Sequence, residues 1–197
     1  MTLDALIALV AFAFVTSVTP GPNNMMLLAS GANFGFRRTV PHMLGIGIGH
    51  SLMVFLVGIG LGGAFEALPW LYTVLKVASV AYMLWLAWKI ARASAPEGGQ
   101  GGGRPFTFLQ AAAFQWVNPK AWAMALGATT VYAPDRTAAT MLVVAVTFAA
   151  VNLPSVSLWT VAGEQMRRFL TNPARLQAFN WTMAALLVGS LVPMLWD

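Results

Sequence analysis

Two short polar runs interrupt otherwise apolar segments of this chain: Pro-Gly-Pro-Asn-Asn at Pro20–Asn24 and Asn-Pro-Lys at Asn118–Lys120. Each proline lacks a backbone N–H and clashes with the preceding helical turn. Gly21 adds a freely turning residue between Pro20 and Pro22. A helix running through either stretch is therefore expected to break, leaving backbone N–H and C=O groups without helical partners. The half-helix after each break starts with free N–H groups and the positive end of its dipole, which attract a carboxylate. The unwound carbonyls attract a cation such as an ammonium group. One small zwitterion uses both, so an amino acid fits this pair of breaks. Asn23, Asn24 and Asn118 can donate or accept hydrogen bonds as such a ligand requires.

Other polar residues stand near the two runs. Lys120 is a charge placed near the middle of an apolar stretch, at a cost of about 2.5 kcal/mol or more on insertion scales. It reads as an anchor for a substrate carboxylate or a charge that couples gating; the plainer alternative is a side chain snorkelling to the interface. His50, in Gly-Ile-Gly-Ile-Gly-His-Ser, titrates near neutral pH when unperturbed. Proton coupling is open to it, and a hydrogen-bonded packing histidine is the plainer reading. Asn152 and Pro154 form a further polar break in Val-Asn-Leu-Pro-Ser that either flanks a cavity or bends a helix. No Asp or Glu falls in the middle of an apolar segment, so the usual carboxylate carrier of protons or sodium is missing.

The elements that position these residues follow from composition. The chain is 58% hydrophobic and 9% charged over 197 residues, against about 25% charged in ordinary soluble domains. So few charges cannot cover a water-soluble surface, and an integral membrane protein is expected. Most of the basic residues fall at the ends of apolar segments, which fits membrane orientation better than nucleic-acid binding. The absence of cysteine excludes disulfides and thiolate metal sites. No nucleophile elbow, paired intramembrane aspartates or Cys/His cluster points to an enzyme, a resident metal or a cofactor. Gly45, Gly47, Gly49, Gly58 and Gly62 do not follow a strand and do not read as a nucleotide loop. The Gly45/Gly49 and Gly58/Gly62 spacings suit close helix packing.

Each span needs about 20 apolar residues. Six fit: roughly Leu3–Ala32, Val40–Gly62, Trp70–Ala91, Phe106–Tyr132, Thr137–Gly163 and Leu176–Leu195. Met1–Leu28 lacks the basic start of a signal peptide and reads as the first span. The expected fold is all-α: one transmembrane domain over 1–197, with repeat one at about 1–93, a Gly-rich cytoplasmic loop at about 94–105 and repeat two at about 106–197. Three spans on each side make the halves inverted repeats, an arrangement shared by many secondary transporters, with the first helix of each half broken at the midplane. Eight Lys and Arg (Arg37, Arg38, Lys89, Arg92, Arg104, Arg167, Arg168 and Arg175) fall on one side and Arg136 alone on the other. The positive-inside rule then puts both termini outside the cytoplasm. Trp70 and Trp196 suit the outer interface, Trp88 the inner one. Lys76 reads as snorkelling, and His42 as a residue of the membrane edge.

The stretches Thr19–Arg38, Ala81–Ala91 and Phe106–Trp122 also resemble the lysine exporter and threonine/homoserine exporter superfamily (the LysE/RhtB type), over nearly the whole chain. Thr-Pro-Gly-Pro-Asn-Asn and Leu-Ala-Trp-Lys-Ile-Ala look most similar to the cysteine/O-acetylserine exporter branch. The resemblance implies a bacterial inner-membrane exporter of amino acids or close derivatives, driven by the proton gradient. Pro20, Gly21, Pro22, Asn118, Pro119 and Lys120 take the family's motif positions. A cation exporter of a related branch is the rival, with Met25, Met26 and His50 its only soft ligands. The partners expected are a small zwitterionic substrate and the lipid bilayer, with no nucleic acid; the oligomeric state stays open, a homodimer included.

Overall fold

A computed structural model describes residues 1–61, 63, 67–93, 104–135 and 137–192. Eight α-helices and no strand occur among them: α1 (Leu3–Val18), α2 (Pro22–Phe34), α3 (Phe36–Leu56), α4 (Trp70–Ala91), α5 (Phe108–Gln115), α6 (Pro119–Tyr132), α7 (Ala138–Met166) and α8 (Pro173–Gly189). A π-helical turn, Val57–Leu61, extends α3. Three of these stretches are long and apolar enough to cross a bilayer: Phe36–Leu61, Trp70–Ala91 and Ala138–Met166. A fourth joins them if α1 and α2, bent by 54° at the break, are taken as one span.

The remaining two of the six expected spans are shorter as helices. α5 and α6 have 8 and 14 residues. α8 has 17 residues, which at about 1.5 Å per residue makes roughly 25 Å against about 30 Å of hydrocarbon. Several expected boundaries move. Arg37 and Arg38, expected in a loop, lie in the first turn of α3. α8 starts at Pro173 because Asn172 caps it, its side chain accepting from the Ala174 N–H at 2.8 Å. α7 runs unbroken through Pro154, so Val-Asn-Leu-Pro-Ser is no break. The Gly-rich segment 94–103, Gly62, Arg136 and Trp196 lie outside the described residues.

The helix ends obey local chemistry. Thr19, Gly21 and Asn118 each precede a proline and are extended, with ψ of 143°, 177° and 109°, as the proline ring requires of its predecessor. Pro22, Pro119 and Pro173 then sit at first helical positions, where a missing N–H costs nothing. Asn118 caps α6 through its side chain, which accepts from the Lys120 N–H at 3.2 Å. Thr107 and Gln110 form a capping box on α5.

α7 is the spine, packed against α1, α2 and α3; α3 also carries α5, and α4 packs on α8. Two contacts need glycine. At Gly31 an added Cβ would overlap the Thr160 carbonyl, and at Gly163 the Leu28 carbonyl, so α2 and α7 touch backbone to backbone. Gly45 and Gly49 do the same for α3 against Phe108 and Ala112 of α5, the close packing their spacing predicts. Gly58 lies against Met141.

The buried apolar residues form two clusters. One takes Met25–Ala29 of α2, Met43 and Ile46 of α3, Phe114 of α5, Val156 of α7 and the inner faces of α4 and α8. The other takes Leu9 and Ala13 of α1, Met53 and Val54 of α3, Ala121–Ala128 positions of α6, and Met141–Phe148 positions of α7. α3, α7 and the two broken pairs α1–α2 and α5–α6 therefore pass from one cluster to the other. Their polar residues sit where they cross: Ser17, Asn23 and Asn24; His50; Gln115, Asn118 and Lys120; Asn152 and Ser155. A polar layer separates two greasy ones.

Candidate functional site

The carbonyls of the break between α1 and α2 are held by hydrogen bonds. The Thr16 carbonyl accepts from the Thr19 hydroxyl at 3.1 Å. The Ser17 carbonyl accepts from Asn24 Nδ2 at 2.9 Å, and the Val18 carbonyl from Trp159 Nε1 at 3.1 Å. The Thr19 carbonyl accepts from Asn24 Nδ2 at 2.7 Å and from Lys120 Nζ at 2.7 Å. The Pro20 carbonyl accepts from Lys120 Nζ at 3.3 Å, and the Thr19 hydroxyl oxygen from the same ammonium at 3.0 Å. Lipid offers no donors, so an unwound turn in a bilayer must be satisfied by protein in this way. The cation that the unwound carbonyls attract is here the protein's own Lys120, reaching across from the second break.

The second break is built alike. The Trp116 carbonyl accepts from Trp122 Nε1 at 2.9 Å, as the Val18 carbonyl does from Trp159. An amide pair joins the two breaks. Asn23 Nδ2 donates to Gln115 Oε1 at 2.9 Å, and Gln115 Nε2 donates back to Asn23 Oδ1 at 3.2 Å. Gln115 is fully buried and also donates to the Ala111 carbonyl at 2.9 Å. Truncating one partner strands the other, so Asn23→Ala and Gln115→Ala should each destabilise the protein. The double variant should cost less than the sum of the singles, with a coupling of about 1 kcal/mol by thermal unfolding in detergent.

A small cavity of about 20 Å³ opens between the breaks, room for about one water. Gly21, Asn23, Asn24, Asn118, Lys120, His50 and Asn152 all line it. Of the residues of the two polar runs, Pro20, Pro22 and Pro119 do not. Pro20 lends its carbonyl to Lys120, while Pro22 and Pro119 start α2 and α6. Gly21 is not selected by its backbone angles, which are extended. A Cβ there would stand 2.7 Å from Lys120 Cδ and 3.1 Å from Nζ, so glycine clears the path of the lysine.

Three buried groups at this level have unused capacity. Among the described residues, neither ring nitrogen of His50, nor Asn152 Oδ1, nor Ser155 Oγ has a hydrogen-bond partner. His50 lies edge-on to Phe148 at 5.2 Å. Asn152 makes one long contact, its Nδ2 donating to Ser17 Oγ at 3.4 Å. The N-terminus of α2 has no side-chain cap, in contrast to α6. His42 is fully buried, its ring 5.3 Å from that of Phe106. Among the described residues no group of three or more His, Cys, Asp or Glu could hold a metal ion, which removes support from cation export.

Sequence reasoning missed Gln115, Ser17, Thr19, Trp159 and Ser155. Gln115 was legible in principle, as a buried amide beside the second break. Trp159 was not, since nothing local marks a tryptophan whose indole caps another helix.

The chain is 31% identical over 191 residues to the cysteine/O-acetylserine efflux proteins of Escherichia coli (strain K12), Shigella sonnei (strain Ss046) and Shigella flexneri serotype 5b (strain 8401), covering 95% of this chain and 96% of each relative. No solved structure matches. The profile of the LysE type translocator matches residues 14–192. With apolar helices able to cross a bilayer and a polar layer between them, this chain belongs to the LysE type translocator family: it is a membrane transporter and not an enzyme.

Proposed function

We propose that this protein exports an amino acid or close derivative, of the size and charge of cysteine or O-acetylserine, from the bacterial cytoplasm across the inner membrane. The observation that carries the reading is the meeting of two helix breaks, about a hundred residues apart in sequence, around one polar cavity bridged by Lys120. The chain then forms one domain of six spans, α1–α2 and α5–α6 each counting as one. Inverted repeats are supported by part of the packing: α1 on α7 matches α5 on α3, while α3–α7 and α4–α8 map onto themselves; α2 lies against α7 far more extensively than α6 does against α3. Both termini face outward, as the basic residues at one side argue.

In the working cycle Lys120 is a tethered stand-in for the substrate's ammonium group. The incoming ammonium takes the carbonyls of Thr19 and Pro20, and the released Lys120 pairs with the substrate carboxylate, which also meets the uncapped N-terminus of α2. At about 20 Å³ the cavity is too small for an amino acid, so loading requires the two break regions to separate. His50, unpartnered in the cavity wall, is the group suited to proton coupling.

The test is efflux from cells overproducing the protein and loaded with labelled amino acids, cysteine and O-acetylserine among them, with and without a protonophore. Selective efflux that the protonophore stops is the expected result. Efflux of none of them, from protein that is inserted and folded, defeats the proposal.

A further inference from the structure

A second cavity, about 230 Å³, lies between α2, the end of α4 and residues 104–106. At about 30 Å³ per water it has room for roughly eight waters, and so for a small amino acid that the break cavity in this state does not admit. Its cations are Lys89, Arg92 and Arg104, and among the described residues no Asp or Glu lines it. Aromatic rings fix two of them. Lys89 Nζ stands 4.8 Å from the Trp85 ring centroid and 4.7 Å from that of Phe106, and the Arg92 guanidinium 4.8 Å from Trp88. Such rings hold a cation in place without cancelling its charge.

The two cavities share one face of α2. Asn23 borders the break cavity; Met26, Ser30 and Asn33 border the larger one. These residues follow the i, i+3, i+7, i+10 stripe of a helix. Met26, 2% exposed, stands between the cavities, and its flexible thioether is a side chain that can swing aside. We infer that the larger cavity is a vestibule in which the cations receive the carboxylate of the transported solute before it passes Met26 to the breaks. The protein thereby favours zwitterionic and anionic amino acids over cationic ones. This rests on the export reading above. A lipid headgroup phosphate would offer related chemistry, but the shared α2 stripe and the polar Ser30 and Asn33 lead inward to the break.

The experiment uses the full chain in proteoliposomes, with labelled O-acetylserine and lysine as probes, in membranes with and without phosphatidylglycerol. The Arg92→Gln/Arg104→Gln variant should raise KM for O-acetylserine roughly tenfold, the loss expected for charge-assisted hydrogen bonds, with kcat nearly unchanged. Arg92→Lys/Arg104→Lys should restore KM, and Arg92→Glu/Arg104→Glu should shift selectivity toward lysine. If the double variant does not insert, Arg104→Gln alone, at an exposed position, carries the comparison. Wild-type transport with unchanged KM and selectivity in the variants overturns the vestibule alone. Variants that lose only the response to phosphatidylglycerol overturn it in favour of a lipid site. A wild type that moves neither probe overturns the export reading, and this inference with it.

Discussion

Lys120→Met abolishes efflux while leaving the protein inserted and folded. The methionine keeps the length and apolar stem of the lysine but loses three hydrogen bonds from an ammonium to Thr19 and Pro20. Charge-assisted bonds contribute about 1.5–3 kcal/mol each, so a loss of even one in the transport cycle lowers the rate roughly tenfold or more. The remaining bonds at the break, from Asn24 and Trp159, keep α1 and α2 joined. Gly21→Ala tests the same contact with the charge kept. Its methyl meets Lys120 Cδ and drives the ammonium off the carbonyls, so efflux should fall as in Lys120→Met. Efflux assays paired with a surface or membrane-fraction immunoblot check both. Normal export by Lys120→Met would remove the lysine from the mechanism.

Gly163→Val carries the largest loss of stability. A Cβ at Gly163 overlaps the Leu28 carbonyl and stands 2.9 Å from the Leu28 carbonyl carbon and 3.0 Å from the Ala32 nitrogen. These are backbone atoms inside helices and cannot rotate away, so α2 and α7 must part. Overpacking of this kind costs about 3 kcal/mol, enough to deplete a protein of ordinary marginal stability. Protein recovered from membranes should drop severalfold, with a lower unfolding temperature in detergent. Gly189→Ala, where an added Cβ meets nothing within 4 Å, should leave both unchanged. Equal yields from the two variants would contradict the close contact.

Both predictions bear on what the sequence made legible. Pro20, Pro22 and Pro119 dictate their breaks through local covalent chemistry, so the break positions were readable. So was the Gly45/Gly49 contact, because its spacing is a property of one helix. The residues that close the breaks were not readable, because they come from elsewhere. Trp159 and Gln115 act 141 and 92 residues away from their partners, and only the packing of α7 and α5 brings them there. Lys120 was readable as an anomalous charge but not as the cation that fills the first break. Its reach depends on α6 crossing α1, and on Gly21 leaving room. At Pro154 the sequence left a cavity wall and a bend both open: α7 continues as helix through Pro154, and Asn152 beside it lines the cavity. Gly31 and Gly163 stand alone in their helices with no spacing to mark them, and their contact appears only when α2 lies against α7.

The central claim is that the transported solute occupies the cavity between the two breaks. The chain has no cysteine, so a single introduced thiol can report on that space. Thr16 and Met124 line the cavity, and Phe169 is exposed outside it. Alkylation of Thr16→Cys and Met124→Cys variants by a small maleimide should slow when the exported amino acid is present, and alkylation of a Phe169→Cys variant should not. Equal rates with and without that amino acid at both cavity positions, in variants that still export it, would contradict the account.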